Sequence, residues 1–574
     1  MKLKKIFTLL IALVVTVSLV ACGGKKCKNH HDKNDDLVCD NCGKHCDDGS
    51  DSGECTSHVD NNGDTLCDNC GTEMGSASVY EPKWELNPTG FDGKGMTIKI
   101  KCLPVNEFNP FDADYTGDSQ EIKMRHQQLV QQAYNVKIKY EAWTESEAWG
   151  NKRTTAIVEG YTNGSYQEND IYVVNIVSSW IPIIVKSKVL AELGDLKSGD
   201  VTEGILADFG EDKYKQNSTI NELLSASNKL YGISTGKPTP DHFIYYNIDL
   251  VETAQVEDPA EMWLKGEWTL SNFKEWVATT QRALPEGKYV LDMNFPEFSI
   301  GLVASTGNQF VTISPIQKIN FLDDNIITCI KTIQTLYADG YYVPGRGADD
   351  ASKEFIAGNS VLTSGQFWFI KAADRFDAKS NDLRIGVVPY PAADDDAIVV
   401  ETTSDESEAL YNAQGEALSY NGEYVAGLDL ENSKFRVPFT SSQCFSILDY
   451  ANGKNGINAT IIANMLIDLY AGLGDDPNLT EQLTEEQGFR LYLESLFDRP
   501  IDADVVMSVY DQTYFEIFEA VSMTVGGNSQ YGPDAFWLVG PRICKDSAKD
   551  PYTELNAVYE KYRQALIDMG YNPL

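Results

Sequence analysis

From Met96 onward, short strand patterns take turns with helix patterns, an order that a layered α/β fold accommodates. MTIKIKC (Met96–Cys102) alternates apolar and polar side chains as a half-buried strand does. DSQEIKMRHQQLVQQAYN follows, with apolar residues spaced for one helix face and Asp118 or Ser119 near its cap. VKIKYEAW reads as a second strand and NDIYVVNI as a third, buried by its composition. WIPIIVKSKVLAELGDL is expected to form a further helix, despite Pro182, that ends near Gly194. Strand and helix in this order predict a mainly parallel sheet covered by helices. The chain has 574 residues, 42% of them hydrophobic and 11% aromatic, enough for more than one such core.

What precedes Met96 is of another kind. MKLKK is a basic head, IFTLLIALVVTVSLV an apolar run, and ACGG its exit. The run spans residues 6–20, short for a membrane-crossing helix and suited to a signal-peptide core. LVAC (19–22) resembles the bacterial lipobox. That resemblance implies a lipoprotein signal peptide over 1–21, a lipid such as palmitate on Cys22, and a mature protein held on the outer face of the cell membrane. No later apolar run reaches transmembrane length. The formal charge of -38, without any long basic patch, argues against nucleic acid as a partner.

Residues 22–71 contain a duplication. Two units read C-x2-H-x8-C-x2-C: Cys27, His30, Cys39 and Cys42, then Cys55, His58, Cys67 and Cys70. Three thiolates and one imidazole at such spacings can close a tetrahedral zinc site with every valence filled. A structural zinc is therefore expected here, and catalysis is not. Two other staples fit the same stretch. Asp32, Asn34, Asp36 and Asp40, and again Asp60, Asn62, Asp64 and Asp68, alternate like the donors of a calcium loop. Gly43 or Gly71 then stands where that loop needs a bidentate Glu. Disulfides suit an extracellular setting, although pairing among the head's cysteines would leave one over, with Cys46 the odd member. Residues 72–92 are rich in small and turn residues and read as a linker.

Further along, NKLYGIS (228–234), YYNIDLV (245–251) and GEWTLSNF (266–273) carry a family resemblance. They are similar to the "GKLYGIP" strand, the "YYNKDLF" segment and the "GKWTWDEF" helix start of extracellular solute-binding proteins of bacterial ABC importers, in the sugar-binding group (family 1). KEFIAGNSVLTSGQFWF resembles the family's helix and ligand loop, LRIGVVPYP (383–391) its returning strand, and SAKDPYTELNAVYEKYRQALIDMG its last helix. The resemblance spans 93–574. It implies a periplasmic-binding-protein-like α/β fold, two lobes joined by a hinge around a ligand cleft, with the cysteine-rich module ahead of it. Lobe 1 is expected at about 93–240 and 392–460, and lobe 2 at about 241–391 and 461–574. Crossings are expected near 234–242 and 389–393. The acidic stretch 392–431 departs from the family as either a surface insertion or a cleft rim. The implied function is capture of a carbohydrate, an oligosaccharide by preference, by a monomer that delivers it to membrane permease subunits. A peptide or other polar solute is the alternative ligand, and a surface sensor or adhesin the alternative role.

A sugar needs an aromatic ring against its apolar face and polar groups along its hydroxyl edge. Asn175, Ser178, Ser179 and Trp180 end the third strand, where α/β sheets place ligands. Trp143 ends the second strand, beside Glu141 and Glu145. By the resemblance, Tyr246 enters the cleft from the hinge side, Phe367 and Trp368 compete for the ring of the SGQFWF loop, and Trp537 supplies another ring. Trp263, Trp268 and Trp276 surround a helix start and are expected in the core. An enzyme is not expected. The chain has no G-x-S-x-G and no H-E-x-x-H, and His126 and His242 show no partner in the sequence.

Overall fold

In the strand Met96–Cys102, alternation puts Ile98, Ile100 and Cys102 in the interior. The strand pairs in parallel with Val136–Ala142 on one side and Ile171–Val177 on the other, and Gln443–Ile447 adds an antiparallel edge beside the latter. The helices Gln120–Tyr134 and Gly150–Thr162 make the returns that parallel pairing requires. This is a computed structural model. It describes residues 80–574 except 118, 198, 210–215, 217, 235–238, 314–315, 346–351, 373–374, 379–380, 440–442, 451–452 and 476–483. The leader with Cys22, both cysteine units and residues 72–79 of the linker lie outside the described residues.

Tyr80–Leu574 forms a compact unit with two apolar cores. The first surrounds the sheet just described. His126 belongs to it, with Nδ1 2.8 Å from the Tyr80 hydroxyl and Nε2 2.6 Å from the Asp468 carbonyl, so this histidine is a buried tie. The helix expected to run to Gly194 stops early. It spans Ile181–Val185, and Lys188 then takes a positive φ of 54°. The apolar residues that follow pair as extended chain, Leu190 bridging Leu448 and the Ala191 N–H reaching the Ile447 carbonyl at 2.8 Å. An open sheet edge outcompetes helix propensity there.

The second core holds a mixed sheet ordered Ile385–Val388, His242–Asn247, Ser360–Gln366, Tyr289–Leu291. Only its last pair is parallel. The expectation of mainly parallel pairing thus holds for the first sheet and fails for the second. Its two central strands are joined through residues 248–359, so no local β-α-β pattern sets their direction. The YYNID segment ends a strand and starts a helix, the Asn247 side chain accepting the Leu250 N–H at 3.0 Å. Trp263, Trp268 and Trp276 are core residues, as expected.

Among the described residues, the buried side chains change core between Ile233 and Phe243, between Val437 and Phe439, and between Ala471 and Phe489. The first passage was expected, whereas the one anticipated at 389–393 is absent. Tyr390 and Ala392 stay in the second core because the Trp268 indole and the Leu270 N–H bind the carbonyls of Pro389 and Ala392, at 2.9 and 2.8 Å. Buried residues from 392 to 437 therefore pack with the second core rather than the first. Those of the helix Ala459–Tyr470 pack with the first rather than the second. The acidic stretch is a three-stranded antiparallel sheet, Val399–Thr403, Glu423–Asp429 and Ser419–Tyr420. It buries Leu418, Val425 and Leu430 on the second core and leans on the helix Pro259–Leu264. Among the described residues, no helix is long and apolar enough to cross a membrane.

Candidate functional site

Parallel pairing brings the C-terminal ends of Met96–Cys102, Val136–Ala142 and Ile171–Val177 to one edge of the first sheet. The segments leaving that edge carry Glu107, Trp143 to Trp149, and Ser178 to Trp180. From the second core, Lys371 and Tyr492 lie close enough for charge coupling with Glu107, and the helix Phe518–Val525 touches Ser178–Trp180. Burial raises the Glu107 carboxyl, and Lys371 opposes that shift. The two cores therefore face each other across this edge.

On the first-core wall, cations and rings alternate. Lys101 Nζ lies 4.8 Å over the Trp143 ring, and the Arg153 guanidinium lies 5.1 Å from Trp143 and 5.3 Å from Trp180. Trp149 meets Trp180 edge-on at 4.9 Å. Trp143 and Trp180 are thus brought together, but both are buried and their faces are occupied. Trp149, 52% exposed, is the ring that reaches solvent. Lys101 pairs with Glu147 at 3.3 Å and Glu141 at 3.9 Å. Arg153 has backbone carbonyls instead, those of Ala148 and of Asn175 at 3.5 Å, and burial lowers its pKa to about 10. Asn175 itself is buried, its amide 3.5 Å from the Cys444 carbonyl on the neighbouring strand. Ser178 and Ser179 open a buried turn at the strand end.

On the second-core wall, the Asp241 carboxylate accepts the Phe367 N–H at 2.9 Å and so ties two strand ends together. His242 and Glu297 are 1% and 7% exposed, with Nε2 and Oε2 3.1 Å apart. Asn294 caps the helix Phe295–Ser305 and places Glu297 in its first turn, where the positive helix end suits a carboxylate. Burial opposes protonation of His242, but Glu297, Asp241 and Glu519 outweigh it and its pKa rises. Burial also raises the pKa of Asp241. Phe367 stacks on Phe243 at 5.1 Å inside the core, while Trp368 is 43% exposed, its indole N–H bound to Gln366 at 2.7 Å. Among the described residues, no group of three or more His, Cys, Asp or Glu is arranged to hold a metal ion.

Tyr246 does not reach the walls. Its buried hydroxyl donates to Asp258 at 2.5 Å and meets Arg499, whose guanidinium also binds Asp258 at 2.7 Å and Asp502 at 2.7 and 2.8 Å. Asp502 in turn accepts the Val387 N–H at 3.0 Å. This network fastens two helices to the second sheet, so Tyr246 is a structural residue. Trp537 is largely buried in the helix Phe536–Cys544, edge-on to Tyr531 at 6.1 Å. The sequence reading missed Trp149, Asp241 and Glu297 and found no partner for His242. The Trp-Gly step before a helix was the available signal for Trp149, and Asp-His opening a strand for Asp241.

No protein-family model matches the chain, and no curated protein matches it. Among solved structures it is similar to the GacH receptor of Streptomyces glaucescens, with 13% identity over 82% of this chain and 99% of that one, at a TM-score of 0.46. A cyclo/maltodextrin-binding protein complexed with maltotetraose shares 11% identity over 83% and 98% of the two chains, at a TM-score of 0.49. An ABC substrate-binding protein from Listeria monocytogenes in complex with cycloalternan shares 9% identity over 83% and 100%, at a TM-score of 0.48.

Proposed function

We propose that this chain is the lipid-anchored, extracellular solute-binding component of an ABC importer, a monomer that captures an oligosaccharide between its two cores and passes it to a membrane permease. The observation that carries this reading is the pair of exposed tryptophans, Trp149 at a helix start on one wall and Trp368 just past a strand end on the other. A sugar ring presents C–H faces to such indoles, which bury them while leaving its hydroxyl edge free to hydrogen-bond. Its hydroxyl edge would donate to Asp241 and Gln366 on one side and to Glu107 on the other. Binding both walls at once favours the closed arrangement, which is the form a permease would recognise. Nothing here calls for a chemical step. A lipid on Cys22 would keep the binder near its permease and raise the effective concentration of each for the other.

The test is thermal unfolding of the chain from Tyr80 against neutral oligosaccharides and short peptides, because a ligand that prefers the folded state raises the midpoint. A midpoint raised by one or more saccharides is expected. Stabilisation by peptides with none by any saccharide overturns the carbohydrate reading. The two cysteine units we assign to a stapled stalk with one structural Zn2+ each, three thiolates and an imidazole being a full donor set. Metal analysis of the mature protein should find two zinc ions per chain, and disulfides or bound calcium in their place would end that assignment.

A further inference from the structure

We infer that the second-core wall selects a carbohydrate carrying a protonated amine, an amino sugar with its nitrogen free, over the neutral or N-acetylated counterpart. This rests on the carbohydrate reading of the cleft and adds the ligand's charge. Glu297 Oε2 lies 3.1 Å from His242 Nε2, and Asp241, the preceding residue, is close enough for charge coupling with both. Among the described residues, neither carboxylate has a Lys or Arg within the 4.0 Å of an ion pair. Glu519, on the helix that touches Ser178–Trp180, adds its negative charge to the field at His242. Even with the imidazole protonated, the group keeps a net negative charge.

Two buried atoms show that the group is incomplete. His242 Nδ1 has no hydrogen-bond partner among the described residues, and Glu297 Oε2 lies near His242 without hydrogen-bond alignment. Asp241 keeps one oxygen on the Phe367 N–H and is itself only half-buried, so the group opens to solvent at that residue. Two carboxylates that share one imidazole leave negative charge uncompensated, and an unaligned buried acceptor adds to the cost. Hydroxyls can donate to these oxygens but cannot cancel their charge. An ammonium does both, with three donors and one positive charge, and charge-assisted hydrogen bonds are about twice as strong as neutral ones. The upward shifts at Asp241 and His242 agree with a wall short of positive charge.

Titration calorimetry on the full chain near pH 6 can compare three oligosaccharides of equal length: fully de-N-acetylated glucosamine units, their N-acetylated form, and glucose units. The free amine should bind tighter by about tenfold, the equivalent of one charge-assisted hydrogen bond. That advantage should collapse in Asp241→Asn and in Glu297→Gln, whereas Trp149→Ala should weaken all three saccharides alike. Asp241 is the safer variant, being half-exposed. Equal affinity for amine and neutral saccharides overturns the inference and leaves the carbohydrate reading standing, as does an amine advantage that survives both carboxylate variants. Failure of every saccharide to bind overturns both.

Discussion

Two tryptophans that differ in exposure illustrate how residue chemistry decides this site. Trp180 ends a strand, as a cleft residue should, yet Arg153 and Trp149 occupy its surfaces. Trp149, further along the neighbouring connection, is the ring left open. Trp149→Ala and Trp368→Ala should each weaken oligosaccharide binding by about tenfold through lost stacking and burial. Their unfolding midpoints should stay near the parent value, since each ring is roughly half in solvent. A large fall in midpoint with unchanged affinity would make these rings structural. Residue type and strand-end position were legible in the sequence, but which ring faces solvent was not. That depends on cations from Lys101 and Arg153, which lie on other elements. The pairing of His242 with Glu297 escaped notice for the same reason, a strand start and a helix start being joined only in three dimensions.

At the scale of elements, the passages between cores are fixed by a few buried ties. The strand Val437–Phe439 pairs in parallel with Thr513–Phe515, and the next residue, Glu516, accepts the N–H groups of Phe310 at 2.9 Å and Phe518 at 3.1 Å. Burial pushes the Glu516 carboxyl up to about 7. Its folded pKa therefore lies above the ordinary carboxylate value, and the folded state holds a proton that the unfolded chain gives up. Stability from this group is greatest at low pH and falls as pH rises from about 4.5 to about 7, above which the loss is complete. Unfolding midpoints of the parent and Glu516→Gln should diverge across that window, the variant sloping less with pH. Parallel slopes would show that Glu516 titrates normally. Strand and helix identities in the first core were legible because each return is local. The false passage at 389–393 arose because its segment resembles a returning strand, while the holding contacts from Trp268 and Leu270 are tertiary.

At the scale of the whole molecule, the periodicity and the ordered motifs anticipated an α/β protein with two lobes, and two cores are present. More than one passage of chain joins them, which permits a hinge. The central claim is that the two cores close on a shared ligand. Small-angle X-ray scattering of the chain from Tyr80, with and without a saturating oligosaccharide, tests it most directly. A smaller radius of gyration in the bound sample is the predicted result. An unchanged radius at full saturation would contradict closure between the cores.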